Sequence, residues 1–177
     1  MKIEHKITKE EHLFSSDDKI NWWGYGEWVE EIDYMEFIYK SFDCIVKRIV
    51  LEEGHSKDFH VFGGYFNGYV SIPGTHPYFL KKYEDMEIDC HFGLTFGECN
   101  NRHYWIGFDC AHYCDYVPSI EYIKKRAPCM QIYKDSMEDL NKKLNIEDIF
   151  RRTYKNIQFC IDECKSIADQ LIEIGNK

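Results

Sequence analysis

Within residues 105–115, Trp-Ile-Gly-Phe-Asp-Cys-Ala-His-Tyr-Cys-Asp, an apolar run breaks into Asp109, Cys110, His112, Cys114 and Asp115. Imidazoles and carboxylates gathered this closely suit a divalent metal or acid–base catalysis near neutral pH. Asp109 and His112 are three residues apart, so one helical turn puts both on one side and Asp115 extends the stripe. His91, upstream, is the fourth candidate. As a site, His91, Asp109, His112 and Asp115 are ligands for a divalent metal or the acid–base groups of a metal-dependent hydrolase. As structure, the same groups hydrogen-bond the backbone of an irregular turn and make a buried polar network that specifies the fold.

Thiols offer two further readings. Cys90, Cys99, Cys110 and Cys114, with His91 or His112 as substitutes, have the atoms zinc prefers, but Cys110-x3-Cys114 is the one knuckle-like pair near this loop. A nucleophilic cysteine with His112 as its base is the other. Neither the phosphate-loop pattern nor the dinucleotide fingerprint accompanies the glycines at 63, 64 and 93, so close approach of backbones within a sheet accounts for them. His76, before Pro77 in a loop, reads as solvated.

These groups need a scaffold. Residues 1–20 carry little periodicity and read as an extended or frayed segment. Trp22, Trp23 and Trp28 beside Gly24 and Gly26 read as a turn into a helix through about Tyr39, with Trp28, Ile32, Met35 and Tyr39 near one face. The β-branched run Cys44–Leu51 is a strand, and 59–72 reads as two strand pieces around glycines. Residues 79–86 are a charged connection. Strands at about Glu87–Phe96 and His103–Phe108 read as a hairpin around Gly97–Asn101, which brings His91 toward Asp109–Asp115. Between 117 and 144 lies a surface excursion with a short helix at Ser136–Leu144. Ile157, Cys160, Ile161, Cys164, Ile167, Ala168 and Leu171 recur at three and four, so 154–173 form an amphipathic helix with Gly175 as its stop. The fold class is α+β: one domain over 1–177, mainly an antiparallel sheet with a long C-terminal amphipathic helix packed on it.

The chain has 177 residues, 44% of them hydrophobic, a size that supports one sizeable core. A formal net charge of −9 argues against strong direct nucleic-acid binding and favours a basic protein partner. Aromatics reach 16%. The candidate binding residues among them are Trp22, Trp23, Trp28 and Tyr113, which either cap the core or anchor a partner. No apolar N-terminal stretch and no membrane-length apolar run are present, so the expectation is a cytoplasmic protein with its eight cysteines reduced.

The chain resembles a family of small proteins encoded by phages and mobile elements. The resemblance rests on Gly68-Tyr69-Val70, His76-Pro77, His91-Phe92-Gly93-Leu94-Thr95, Gly107-Phe108-Asp109-Cys110-Ala111-His112 with Asp115, and the helix Glu163–Leu171, and runs from about 65 to 172. The family has glycine where this chain has Phe92. What the resemblance implies is a counter-defence role inside a host cell: an anti-CRISPR-like protein, without a cofactor, that binds and inhibits a host effector nuclease, most plausibly of type II. The alternatives are a metal-dependent hydrolase of a phosphate ester or nucleotide, built on His91, Asp109, His112 and Asp115 with a divalent metal, and a protein that sequesters a nucleotide signal.

Overall fold

Six antiparallel strands in the order β1-β2-β3-β4-β6-β5 form the sheet on which everything else is mounted. The structure is a computed structural model that describes residues 5–53, 60–100, 103–126 and 152–176. The strands are β1 (Lys6–Glu11), β2 (Tyr34–Tyr39), β3 (Phe42–Glu53), β4 (His60–Ile72), β5 (Phe96–Asn100) and β6 (His103–Asp109). Among the described residues three α-helices accompany them: α1 (Ser16–Trp23), α2 (Pro118–Arg126) and α3 (Ile157–Gly175). The expected α+β architecture, an antiparallel sheet carrying the C-terminal helix, is the one observed.

Period-two burial explains the long strands. Cys44, Val46 and Arg48 of β3, Phe66 and Val70 of β4, and Tyr104, Ile106 and Phe108 of β6 turn to one face and are buried. On that face α3 sets down Cys160, Ile161, Cys164, Ile167, Ala168 and Leu171, all at 3% exposure or less. Gly68 makes the close approach possible, because a Cβ there would strike the Phe108 ring and Cys164 Sγ. Burying about half a dozen such apolar side chains contributes roughly 10–15 kcal/mol before entropy is counted.

Several expectations are corrected. Residues 28–39 are not a helix: Trp28 lies in a loop and Tyr34–Tyr39 is β2, with Met35, Phe37 and Tyr39 buried at alternate positions. From residue 5 on, the N-terminal segment is neither frayed nor wholly extended. It contributes edge strand β1 and helix α1, which starts at a capping box formed by Ser15 and Asp18. Of the stretch expected as two strand pieces, His60–Ile72 is one strand, bulged opposite Ile49/Val50, where Gly63 has φ +123°. Residues 87–95 are irregular, and the hairpin strand starts only at Phe96. The connection at 79–86 holds a 3-10 turn at Tyr83–Asp85. The final helix starts at Ile157, capped by Asn156, and Gly175 is its last residue. The helix expected at 136–144 lies outside the described residues.

A buried ionic network ties the N-terminal part to the start of α3. Asp33 Oδ1 accepts from Lys19 Nζ at 2.8 Å and from Arg48 Nε at 2.6 Å, and all three side chains are fully buried. The Arg48 guanidinium also reaches Glu31 at 2.8 Å, the Gly64 carbonyl at 2.9 Å and the Tyr154 hydroxyl at 2.7 Å, and lies over the Phe66 ring. Glu31 in turn accepts the Ile157 N–H at 2.6 Å. Every charge has a partner, the condition under which buried ions are tolerated.

Candidate metal centre

Strand β6 ends at Asp109, and Cys110 makes one more bond, donating its N–H to the Phe66 carbonyl at 3.0 Å. The chain then folds back tightly. Ala111 donates its N–H to Asp109 Oδ1 at 3.0 Å, and Asp115 donates its own to the His112 carbonyl at 2.9 Å. The Asp115 carboxylate accepts the His112 N–H at 2.9 Å, so the side chain at the end of this turn also holds its beginning. A parallel bridge from Asp115 to Thr153 fixes the turn to the segment that leads into α3.

His91 arrives from the irregular loop before β5, not from a strand. A turn closed by Gly93 N–H on the Cys90 carbonyl presents it. Helix α3 fixes it twice: Glu163 accepts the His91 N–H at 2.8 Å, and the Phe159 ring meets the imidazole edge-on at 5.2 Å. Glu163 and Phe159 were not among the sequence candidates, since their spacing marks only the helix.

The three side chains converge on one point. His91 Nε2 lies 3.0 and 2.9 Å from the two Asp115 oxygens. His112 Nδ1 lies 3.5 Å from Asp115 Oδ2, and one ligand atom from each of His91, His112 and Asp115 falls within 4.8 Å of the others. His112 Nδ1 is buried and makes no hydrogen bond. An ion at about 2.1 Å from each ligand sets ligand–ligand separations of about 3.0 Å in octahedral and about 3.4 Å in tetrahedral geometry, close to two of these distances. Burial alone would push the Asp115 carboxyl up, but hydrogen bonds from His91 and from the His112 N–H outweigh it and hold the group below its ordinary value.

Asp109 stands beside this triad. Its Oδ1 is 3.7 Å from His112 Nδ1, its side chain is 27% exposed, and it faces the sheet's second side, in register with Asn67. Asn67 Oδ1 is also buried without a hydrogen bond. These two orphaned polar atoms, the ones found among the described residues, therefore sit on either side of Asp109. Phe92 and Tyr113 form the rim, 51% and 62% exposed. The Phe92 ring stacks on His112 at 4.6 Å and 18°, and Tyr113 meets it edge-on. Phe92 holds φ +54°, a region that favours glycine.

The other candidates lie elsewhere. Trp23 and Trp28 are buried, at 2% and 5% exposure, donating their indole N–H groups to the carbonyls of Val61 and Gly24. Trp22 is half-buried against Phe14 and Trp23. As a partner-binding patch the tryptophans thus keep only the edge of Trp22, because the α1–α2 side of the fold needs the other two as core. Cys90, Cys99, Cys110 and Cys114 do not gather, and among the described residues the His91, His112 and Asp115 group is the one with metal-ligand proximity. Burial, with help from Glu163, pushes the Cys90 thiol up to about 12, and contact with Cys160 together with burial raises that of Cys110. Neither is a ready nucleophile. His76 is half-buried: its Nε2 meets the Leu171 carbonyl at 2.8 Å and its Nδ1 accepts the Tyr78 N–H, at the far end of α3. Among the described residues no helix is long and apolar enough to cross a membrane. Comparison of the chain with protein-family models, curated proteins and solved structures found no match.

Proposed function

We propose that the chain is a divalent-metal-dependent hydrolase of a phosphate ester, with His91, His112 and Asp115 as ligands and Asp109 as the neighbouring acid–base group. The supporting observation is His112 Nδ1: a buried ring nitrogen with no hydrogen bond, facing a carboxylate at 3.5 Å that already holds a second imidazole. A polar network serving the fold alone has no reason to leave that nitrogen unpaired. Two imidazoles and one carboxylate leave coordination positions open, the arrangement of a catalytic rather than a structural site. A divalent ion held by His91, His112 and Asp115 would supply Lewis acidity toward a phosphoryl oxygen and would lower the pKa of a water. Asp115, buried and anionic, sets the charge of the site, and Glu163 and Phe159 orient His91. Asp109, more exposed, accepting the Ala111 N–H and 3.7 Å from His112 Nδ1, is placed to accept the proton of an attacking water from the open side.

The test is metal content by elemental analysis, with folding followed by circular dichroism and turnover by p-nitrophenyl phosphate and its bis-ester. One metal per wild-type chain, lost from a still-folded His112→Ala, is expected. Turnover should return on metal addition and be lost in an Asp109→Asn variant that keeps its metal. A folded wild type that takes up no metal overturns the proposal.

A second reading is favoured by Tyr25, 84% exposed in a loop with Glu27 and Glu30 also exposed, on a chain of net charge −9. An aromatic anchor in an acidic setting suits a basic protein surface. Together with the phage-family resemblance this supports a counter-defence protein that binds a host CRISPR effector nuclease. Under it, Tyr25→Ala and raised salt weaken association while His112→Ala leaves it unchanged. Binding to such effectors that is insensitive to both rules it out.

A further inference from the structure

The face of the sheet opposite α3 carries its own row of chemistry. Register places Tyr34 beside Lys47, Lys47 beside Asn67, and Asn67 beside Asp109, so four side chains from β2, β3, β4 and β6 run in line across one face. The neighbouring row is Ile45, Tyr69 and, beyond Gly107, Phe96. Gly107 has no side chain, so Tyr69 lies across it and meets Phe96 edge-on at 5.2 Å. Tyr34, Ile45, Tyr69, Phe96 and Trp105, all half-buried, enclose a cleft of about 320 Å³. Lys47 and Glu98 stand at its polar edge, a donor and an acceptor.

Strand register carries the row on from the cleft toward the metal centre. Asn67 Nδ2 donates to the Tyr69 hydroxyl at 3.0 Å, which joins the aromatic row to the row that ends at Asp109. Lys47 and Asp109 are two strands apart, about 10 Å at the ordinary strand spacing. Between them lies the orphaned Asn67 Oδ1, and beyond Asp109 the orphaned His112 Nδ1. Both are unmet polar atoms along a path from an aromatic cleft to a cluster of metal ligands. A volume near the lower limit for ligand pockets suits one ring system with a short polar extension, not a polymer. Net charge −9 likewise disfavours a nucleic-acid strand.

We propose that this face binds a mononucleotide, its base held among Tyr69, Phe96, Trp105 and Tyr34 and its phosphoryl group directed past Lys47 and Asn67 to the His91–His112–Asp115 centre. The inference deepens the hydrolase reading and rests on it for the phosphoryl end. Aromatic rings give a base its stacking surface, and Lys47 and Glu98 give its edge a donor and an acceptor. Lys47 is the cation on this row, and an ion at the centre offsets the repulsion that Asp109 and Asp115 would otherwise exert on a phosphate.

The experiment is a tryptophan-fluorescence titration of the full chain, metal-loaded and chelated, with the four common nucleoside 5′-monophosphates, their nucleosides and ribose 5-phosphate. At least one nucleotide and its nucleoside should quench emission, and the quench should vanish in Trp105→Phe, which leaves Trp22, Trp23 and Trp28 in place. Tyr69→Leu should weaken the nucleoside by about tenfold, the scale of one stacked base. Metal loading should tighten the nucleotide at least tenfold over its nucleoside, and Lys47→Ala should reduce that advantage. No quench by any base-bearing ligand, or a quench unchanged in both Trp105→Phe and Tyr69→Leu, overturns the cleft. Equal nucleoside and nucleotide affinity in protein shown to hold its metal overturns the path between cleft and centre while leaving the metal site standing. Tight, metal-dependent nucleotide binding without turnover supports the cleft and overturns hydrolysis, leaving a nucleotide-sequestering protein.

Discussion

Replacing His112 with alanine distinguishes a metal ligand from a structural imidazole, because the structure assigns the two roles different energies. The ring is 21% exposed, its Nδ1 makes no hydrogen bond and stands 3.5 and 3.7 Å from the Asp115 and Asp109 carboxylates, and it packs by a stack on Phe92 and an edge-on meeting with His91. In chelated protein the truncation therefore forfeits little more than these aromatic contacts, about 1 kcal/mol. In metal-loaded protein it also forfeits the stabilisation that binding confers, about 2.7 kcal/mol when free metal is a hundredfold above Kd. For a domain of this size each kcal/mol moves Tm by about 2–4 °C. His112→Ala should melt about 2–4 °C below wild type under chelation and roughly 7–15 °C below it with metal. The assay is thermal unfolding followed by near-ultraviolet circular dichroism, with chelator and with zinc, manganese or nickel at matched free concentration. Equal melting of wild type with and without every metal refutes the reasoning, and so does an equal loss in both states.

Other outcomes follow from the same geometry. Because the folded Asp115 carboxyl lies below its ordinary 3.8, its contribution to stability is complete above about pH 4 and is lost as pH falls through the lowered folded value. Urea midpoints in the acid range should thus fall more steeply for wild type than for Asp115→Asn. Arg48→Met strands Glu31 and Asp33 beside Lys19 and should cost about 3–5 kcal/mol in equilibrium unfolding. Phe92→Gly relieves a left-handed backbone but removes the stack on His112, so its stability should stay within about 1 kcal/mol of wild type. Gly63→Ala would drive a Cβ into the Ile49 carbonyl at φ +123°, and a loss of more than about 3 kcal/mol or no folded protein is expected by the same urea assay.

Much of the scaffold was legible because period-two and period-3.6 patterns leave direct traces. The α3 residues from Ile157 to Leu171 and the run from Cys44 to Leu51 behave as their spacing indicates. Residues 28–39 misled because Trp28, Ile32, Met35 and Tyr39 fall at helical spacing while Met35, Phe37 and Tyr39 also alternate. Packing against the sheet decided for the strand. Strand β1 was invisible: Lys6–Glu10 are all exposed, so no buried face leaves an apolar alternation. Helix α1 does leave a signal, the Ser15/Asp18 capping box, but a single cap without an apolar stripe behind it marks a start and no helix length. In the site, the density of Asp109, His112 and Asp115 drew attention to the right turn. Their meeting with His91 depends on Glu163 and Phe159, 72 and 68 positions further along the chain, and no local pattern encodes that. Asn67 and Lys47 owe their place beside Asp109 wholly to strand register.

The ionic network around Arg48 also sets an order of events during synthesis. Its partners are 106 residues apart for Arg48 and Tyr154, and 126 for Glu31 and Ile157. Strands β1 to β4 are complete once residue 72 has been made, yet the Tyr154 hydroxyl and the Ile157 N–H have then still to be translated. At about 5–20 residues per second the nascent sheet waits roughly 4–17 s for them. During that interval Glu31 lacks two of its donors, and the face that α3 later covers is exposed. Completion of the native state is thus tied to arrival of the C-terminal helix, the same element that fixes His91. A chain cut short before Tyr154 leaves Glu31 short of two donors, the sheet face uncovered and His91 without Glu163 and Phe159, so the supports of core and site are lost together.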